Sequence, residues 1–434
     1  MIEVFMIVAF FALLLLGVPI AFCIGLAAVV AMTVSIDSLA ALTTIAQRMA
    51  SGMNSFALLA IPLFVVSGNI MSQGGIAQRL IAFARSLVGQ LPGGLAFVNV
   101  ISCTLFGAIS GSAVAATTAV GGVMIPAMEE DGYQREFGAA LTASSATTGL
   151  LIPPSNILIV YAVASGGVSI AALFVGGYLP GLLVALCLLA VCLAYARRHE
   201  LGGASANHNA DAPSLWRATA DAIPSLALIF IVIGGIIGGW FTATEAGAIA
   251  VVYALTLSLL VYRELSPSGL PAIMLQSVLT TATVMILVAT SIAMSWFLAF
   301  QNVPQWVASS LLAISDNPLI LLLLINIVLL VVGSFMDMTP AVMIFTPIFL
   351  PVAVQLGMSP LHFGIMMVLN LSIGLCTPPV GSVLFVSCAV AKTSLQSMIR
   401  PLLPMYVAML VALLLVTYVP AFSEALPLYF GLIE

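Results

Sequence analysis

The sequence predicts an all-α polytopic membrane protein with about ten transmembrane helices and two re-entrant hairpins, arranged as an inverted repeat. Of its 434 residues, 62% are hydrophobic and 6% are charged, with a mean hydropathy of +1.26. Soluble domains carry roughly 25% charged residues. The second observation is a doubled motif, because GLLIPPSN at Gly149 returns as GLCTPPVG at Gly374, 225 positions later. The composition predicts the membrane setting, and the motif predicts two related halves.

Each Pro-Pro pair predicts a break in a membrane helix, because consecutive prolines remove helix hydrogen bonds and clash with the preceding turn. Unpaired backbone at membrane depth is tolerated where it lines a cavity or binds an ion. The same spacing of 225 also relates Pro126 to Pro351 and Gly132 to Gly357. Interrupted spans at matching positions of two halves indicate the binding site of a secondary transporter.

Apolar runs bounded by charges, glycine and proline predict the individual spans. A transmembrane helix needs roughly 20 apolar residues. We split the first run at Gly17-Val18-Pro19, with one long tilted helix as the alternative. The predicted spans are residues 2–16, 18–35, 52–73, 137–164, 170–196, 223–239, 245–262, 272–300, 362–391 and 401–420. Spans 137–164 and 362–391 contain the Pro-Pro motifs and are predicted as broken helices.

Two further apolar stretches, residues 95–126 and 318–351, are too long for one span and too short for two. Polar or helix-breaking residues stand at the middle of each, namely Ser110 to Ser112 and Met336 to Pro340. Irregular backbone at this depth must be buried in protein or line a cavity. We therefore predict two re-entrant hairpins with tips against the broken helices. Amphipathic interfacial helices are predicted before each hairpin, with ordinary loops as the alternative.

The basic residues predict the orientation of these elements, because cytoplasmic loops are enriched in Lys and Arg. If the first hairpin opens to the cytoplasm, nine of the ten Lys and Arg residues lie on that side and only Arg48 lies outside. The halves then enter the membrane with opposite sense. Residues 1–196 form the first inverted repeat, residues 223–434 form the second, and residues 197–222 form a cytoplasmic linker.

The helix breaks are candidate cation sites. The last carbonyls of an interrupted helix lose their amide partners and concentrate negative dipole. Oxygen ligands without thiolate or imidazole favour a hard cation, and loosely arranged carbonyls and hydroxyls suit Na⁺. We predict two Na⁺ sites, with breaks that serve packing alone as the alternative. The candidate ligands are Ser110, Gly111, Ser112, Gly149, Ile152 and Ser155 in the first half, and Gly333, Asp337, Gly374, Thr377 and Val380 in the second.

Polar side chains on the broken helices and hairpins are candidates for contact with a polar substrate. These candidates are Ser144, Ser145, Asn156, Thr339 and Asn370. Intramembrane Ser, Thr and Asn also hydrogen-bond between helices, which is the alternative role. Asp337 and Glu245 are the two carboxylates well inside apolar segments. An intramembrane carboxylate indicates function by default, whereas Glu245 fits a helix N-terminus stabilised by the local dipole.

Other functional classes lack their sequence signatures. The chain has no Walker motif, no zinc-ligand spacing, and no nucleophile that could be grouped with a base. Its six cysteines lie in apolar segments and fit small packing residues. The sequence therefore predicts neither an enzyme nor an ATP-driven pump, and nothing in it supports binding to nucleic acid.

Four segments together resemble the large membrane subunit of the tripartite ATP-independent periplasmic (TRAP) transporters. They are GYQREFGAALTASSATTGLLIPPSN at Gly132, AIPLFVVSGNIM at Ala60, GGWFTATEAGAIAVVYAL at Gly238 and FMDMTP at Phe335. The resemblance implies a Na⁺-driven, elevator-type importer in the bacterial inner membrane. It also implies two partners, namely a periplasmic substrate-binding protein that delivers an organic acid and a small membrane subunit of about four helices.

A stand-alone dicarboxylate or anion symporter of similar architecture is the alternative to a tripartite system. A channel or receptor-like subunit belongs to another class, and saturable Na⁺-dependent uptake would separate it from a coupled transporter. The sequence does not specify which organic acid is carried.

Overall fold

The computed structural model describes residues 2–199 and 215–433. These residues form α-helices joined by short turns, and no β-strand occurs among them. Eight of the described helices are long and apolar enough to cross a membrane. The chain is therefore an all-α polytopic membrane protein, as the sequence predicts.

The first half contains eleven helices. They are α1 (Ile2–Leu15), α2 (Ile20–Ser35), α3 (Ser38–Met53), α4 (Ala60–Gln73), α5 (Ile76–Val88), α6 (Gly94–Ser110), α7 (Ala113–Glu130), α8 (Arg135–Thr148), α9 (Asn156–Ala164), α10 (Ile170–Gly176) and α11 (Tyr178–Arg198). The first apolar run is two helices, because the chain leaves α1 after Leu15 and begins α2 after Pro19. A 3₁₀ turn, Phe56–Leu59, leads into α4.

The described part of the second half contains ten helices. They are α12 (Leu215–Ile237), α13 (Ala243–Thr256), α14 (Leu270–Phe300), α15 (Val303–Leu312), α16 (Pro318–Phe335), α17 (Met338–Gln355), α18 (Pro360–Gly374), α19 (Ser382–Ala391), α20 (Leu395–Tyr418) and α21 (Ala421–Tyr429). A π turn, Leu257–Val261, continues α13.

Helix boundaries recur with the same spacing of 225 that relates the two motifs. Helix α7 begins at residue 113 and ends at 130, and α17 begins at 338 and ends at 355. The turns after them match as well, since Gly132 has φ 92° and Gly357 has φ 86°. Glycine is the residue that adopts this left-handed conformation without steric cost. The second arm of each hairpin and the turn after it thus match in the two halves, while the opposite sense of the halves in the membrane stays a prediction.

The helices form two groups by their contacts. In the scaffold group, which comprises α1–α4 and α12–α14, α13 packs on α4 and α14 packs on α2, α3 and α4. The core group comprises α6–α11 and α16–α21, and in it α8 is surrounded by α6, α7, α19 and α20. Helices α5 and α15 connect the groups, and α14 packs directly against α17.

Helical structure extends into the predicted linker, residues 197–222, at both ends. Helix α11 continues to Arg198, and α12 already begins at Leu215. The segment from Leu215 to Ala222 contains no glycine or proline, and α12 packs on α5, so the helix extends past the predicted start of its span. The rest of the predicted linker, residues 200–214, lies outside the described residues.

Two helices of this architecture were not predicted. Helix α3 is polar, and it begins where the Asp37 carboxylate accepts hydrogen bonds from the amides of Leu39 and Ala40, at 3.1 and 3.4 Å. Helix α21 is short and follows Pro420. The structure also starts α20 before residue 401, because the Ser394 hydroxyl caps it by accepting from the Ser397 amide at 3.3 Å.

Candidate functional site

Both broken helices end against a glycine of the preceding hairpin arm. A Cβ added to Gly149, just after α8, would lie 2.5 Å from the Cα of Gly107 in α6. A Cβ added to Gly374, the last residue of α18, would lie 2.6 Å from the carbonyl carbon of Gly333 in α16. A side chain does not fit into either gap, so the backbone of the broken helix contacts the backbone of the hairpin arm at both breaks.

Local hydrogen bonds hold the extended segments of the two breaks. The Ser155 hydroxyl donates to the Leu150 carbonyl at 2.5 Å, and the Thr377 hydroxyl donates to the Ile373 carbonyl at 2.8 Å. The Val380 amide donates to the Ser334 carbonyl at 3.1 Å, which ties the second break to α16. Both Pro-Pro peptide bonds are cis. Since Ser155 and Thr377 donate to carbonyls, their oxygens keep lone pairs that can accept or coordinate.

The two hairpin tips differ in their capping. In the first tip, the Ser112 hydroxyl caps α7 by accepting from the Ala115 amide at 3.2 Å. In the second tip, Asp337 occupies the matching position before α17, but its carboxylate caps no amide. Asp337 is accessible to solvent, although protein packs around its carboxylate. Its oxygens can therefore still reach another partner.

A cavity of about 660 Å³ lies where both tips and both breaks meet, and we call it the central cavity. Six predicted site residues line it, namely Ser110, Gly111, Ser112, Asn156, Asp337 and Thr339. Leu150 and Leu375, which occupy matching positions in the two breaks, also line it. The two halves thus contribute equivalent segments to one site.

Asn156 stands between the first tip and the first break. A Cβ added to Gly111 would lie 3.0 Å from the Asn156 Nδ2. The Asn156 Oδ1 is buried and accepts no hydrogen bond from the described residues. A buried carbonyl oxygen without a donor is energetically costly, so the Asn156 Oδ1 is a candidate ligand atom.

The remaining predicted site residues do not line the central cavity. Gly149, Ile152, Ser155, Gly333, Gly374, Thr377 and Val380 lie in or beside the breaks, outside its lining. Ser144 donates to the Ala140 carbonyl of its own helix at 3.0 Å, and Ser145 is buried in the same helix. The Asn370 amide donates to the side-chain oxygen of Asn326 in α16 at 2.8 Å. Asn370 therefore bonds to a neighbouring helix and Ser144 bonds within its own, whereas the Ser145 Oγ and the Asn370 Oδ1 have no hydrogen-bond partner among the described residues.

The scaffold group supplies a polar wall of the central cavity that the sequence analysis missed. Its polar members are Asn69, Ser72 and Gln73 from α4 and Gln276 and Thr280 from α14. Asn69 also donates to the Ser277 hydroxyl at 2.8 Å, which joins the two helices. One feature of the sequence could have indicated this wall: Gln276 and Thr280 are four residues apart and therefore lie on one helix face.

The charged side chain that lines the central cavity is negative. Among the described residues that line it, Asp337 carries the sole formal charge, and no Lys or Arg is present. Its polar side chains are hydroxyls, amides and the carboxylate of Asp337. This donor set suits a hard cation, and it offers an anion no positively charged side chain.

A second cavity, of about 900 Å³, lies between the same two helix groups, and we call it the Arg48 cavity. Ile292, Ser295 and Trp296 of α14 line one side of it. Thr280 and Ser295 lie fifteen residues apart on α14, or about 22 Å at 1.5 Å per residue. The two cavities therefore lie along different parts of α14, and they come close to each other at α9, where Val160 lines the central cavity and Ala162 lines the Arg48 cavity. Close to the Arg48 cavity, the Ser295 hydroxyl donates to the Met343 carbonyl of α17 at 3.4 Å.

Glu245 has a structural position at the start of α13, as predicted. Its carboxylate accepts from the Thr242 amide at 2.7 Å, and the Thr242 hydroxyl accepts from the Glu245 amide at 3.3 Å. This reciprocal capping box satisfies two backbone donors at the helix start. Glu245 lines neither cavity.

Comparison with known proteins identifies the family. Residues 7–422 match the family described as the tripartite ATP-independent periplasmic transporter, DctM component. The chain is 51% identical to YgiK of Salmonella typhimurium, with 98% of this chain and 96% of that protein covered. It is 41% identical to the C4-dicarboxylate TRAP transporter large permease protein DctM of Pseudomonas aeruginosa, over 93% of each chain. It is 39% identical to the sialic acid TRAP transporter large permease protein SiaM of Vibrio cholerae, over 88% of each.

A solved structure shares the fold at low sequence identity. The YdaH transporter of Alcanivorax borkumensis superposes with a TM-score of 0.62 at 18% identity, and 89% of each chain is covered. The family match spans almost the whole chain, and the relatives match over almost their whole length. The chain therefore belongs to the DctM component family of the tripartite ATP-independent periplasmic transporters, and it is a transporter permease and not an enzyme.

Proposed function

We propose that this chain is the large permease of a tripartite system that imports an organic acid across the bacterial inner membrane, driven by Na⁺. The observation that carries the proposal is the central cavity, where two helix breaks and two hairpin tips converge on oxygen-rich walls. Two relatives are named as permeases for a C4-dicarboxylate and for sialic acid, both of which are organic acids.

The charge of the central cavity supports Na⁺ coupling. An anion moved from water into a protein interior is costly unless a counter-charge accompanies it. The lining offers the carboxylate of Asp337 and no basic side chain. Bound Na⁺ would supply that positive charge, so acid and cation would enter together. The ligands present for it are the Asp337 carboxylate, the Asn156 Oδ1 and the oxygens of the first tip.

Two separate cavities between the helix groups support alternating access. In an elevator mechanism, the core group would slide against the scaffold group and carry the site from one side to the other. The polar wall formed by Asn69, Gln276 and Thr280 belongs to the scaffold group and would not move with the core group. The contact between Ser295 and Met343 would break when the Arg48 cavity widens to meet the site.

Two partners complete the proposed system. A periplasmic substrate-binding protein would deliver the acid, and a small membrane subunit would support the scaffold group. Membership of the DctM component family of tripartite transporters supports this assembly. A stand-alone symporter is the second candidate, and it differs by not requiring the binding protein.

The test is reconstitution of the three components in proteoliposomes, with uptake of radiolabelled organic acids as the readout. We expect uptake with an inward Na⁺ gradient and almost none with a K⁺ gradient of equal size. Omission of the binding protein should abolish uptake. Equal uptake in both gradients would refute Na⁺ coupling, and full uptake without the binding protein would establish the stand-alone symporter.

A further inference from the structure

We propose that Arg48 and Trp296 form a separate receiving site for the carboxylate group of the substrate, in the Arg48 cavity. For its role in import, this inference rests on the proposed function. The binding itself is a property of the chain alone. The positive charges of the sequence predict that this cavity faces the periplasm, the side from which an acid would arrive.

The geometry of the pair suits a carboxylate. The guanidinium carbon of Arg48 lies 5.2 Å from the centroid of the Trp296 ring, so the cation rests over the aromatic face. A guanidinium held in this way keeps its planar edge of N–H donors free. Carboxylates bind such an edge through two parallel hydrogen bonds. Trp296 therefore holds Arg48 in place without consuming its donors.

Arg48 also has no competing carboxylate. The ion pairs among the described residues join Arg79 to Glu264 and Arg135 to Glu129, and neither includes Arg48. Arg48 is the one charged side chain among the residues that line its cavity. Of the two cavities between the helix groups, this one thus holds the positive charge and the central one holds the negative charge.

The cavity has room for a small organic acid. Its volume of about 900 Å³ falls within the range of ligand sites, roughly 300–1,000 Å³. Gly166 and Gly167 of the core group form part of its wall, opposite α14 of the scaffold group. An acid bound to Arg48 would therefore touch both groups before it reaches the central cavity.

Trp296 provides a direct optical test of binding. The other tryptophans, Trp216, Trp240 and Trp306, are exposed and can be replaced by Phe to leave Trp296 as the single reporter. Succinate, N-acetylneuraminate and acetate are titrated into this purified variant, with succinamide as the uncharged analogue of succinate. We expect a saturable fluorescence change with at least one carboxylate and none with succinamide. Arg48→Gln should abolish it, and Arg48→Lys should weaken it.

A matched control is Arg217→Gln, which removes an exposed arginine of the scaffold group that lines neither cavity. This control should leave the titration unchanged. A signal that survives Arg48→Gln, an equal signal with succinamide, or no response to any of the three carboxylates would overturn the inference.

Uptake in the three-component proteoliposomes separates the inference from the proposed function. Arg48→Gln should raise the KM for the acid at least tenfold and leave the maximal rate within about twofold, since the central cavity is unaltered. An unchanged KM alongside normal wild-type uptake would overturn the inference and leave the function standing. A Trp296 signal without any Na⁺-dependent uptake would remove the function and leave the binding site standing.

Discussion

At the scale of single residues, the two glycine contacts carry the tightest constraint in the site. A Cβ added to Gly149 would lie 2.5 Å from the backbone of a hairpin arm, and one added to Gly374 would lie 2.6 Å from the backbone of the other. No rotation of a side chain can relieve a clash between a methyl group and backbone atoms. The hairpin arm itself would have to move.

We predict that Gly149→Ala and Gly374→Ala destabilise the protein by about 1–3 kcal/mol each, the usual cost of overpacking. Thermal unfolding of the detergent-solubilised chain measures the effect. Gly122→Ala is the matched control, because an added Cβ there meets no atom within 4 Å and the residue also lies in a helix. Equal melting temperatures for all three variants would show that the close approach is unimportant.

Asp337 gives the second prediction at this scale. Asp337→Asn should raise the Na⁺ concentration for half-maximal uptake by about tenfold, because a cation loses a charged oxygen ligand worth roughly 1–3 kcal/mol. Ser112→Ala, at the matching tip, should have a smaller effect in the same direction.

The control for Asp337→Asn is Asp316→Asn, an exposed acid in the turn before α16 that lines neither cavity. Its Na⁺ dependence should equal that of the wild type. If Asp337→Asn behaves like this control, the carboxylate at the tip does not coordinate the coupling ion.

At the scale of helices, the sequence predicted where a helix is interrupted better than it predicted which face of a helix lines the central cavity. Each Pro-Pro pair forbids a continuous helix whatever surrounds it, so the gaps between α8 and α9 and between α18 and α19 follow from local chemistry. Helix α3 was missed because its polar residues resemble a loop, and its start depends on one cap at Asp37.

The wall of the central cavity shows why the site itself was only partly predictable. Ser110, Asn156 and Asp337 were predicted as site residues because they interrupt apolar runs or adjoin a break, and all three line the central cavity. Gln276 and Thr280 lie in a long uninterrupted helix, and only the packing of α14 decides which of its faces meets the cavity. Asn370 does not line the cavity, and its amide nitrogen donates to Asn326.

The hairpins give a prediction at the element scale. Glu130 and Gln355 are the last residues of α7 and α17, they are 225 positions apart, and both are exposed. In a cysteine-free variant, Glu130→Cys and Gln355→Cys should react with an impermeant maleimide from opposite faces of the membrane, the first from the cytoplasm. Labelling of both from one side would refute the inverted arrangement.

At the scale of the whole molecule, the two helix groups meet in contacts that a sliding motion would have to exchange. Ser295 and Met343 form one such contact, between α14 and α17. Cross-linking of Ser295→Cys to Met343→Cys with a short bifunctional thiosulfonate should therefore stop uptake, and a reducing agent should restore it.

A cross-link inside the scaffold group is the control for this experiment. Thr244 donates to the Phe56 carbonyl at 3.1 Å, and both residues belong to segments that pack together in that group. Cross-linked Thr244→Cys and Phe56→Cys should transport normally. Full uptake with the Ser295–Met343 cross-link in place would exclude relative motion of the groups at this point.

The lone carboxylate at the second tip has an electrical consequence. If the core group moves through the membrane, Asp337 moves with it, so an empty carrier returns with one negative charge across the field. Each elementary charge that crosses 100 mV changes the free energy by about 2.3 kcal/mol. A carrier loaded with two Na⁺ and a monocarboxylate would be neutral at this site. The membrane voltage would then act on the return of the empty carrier and leave the loaded step almost unaffected.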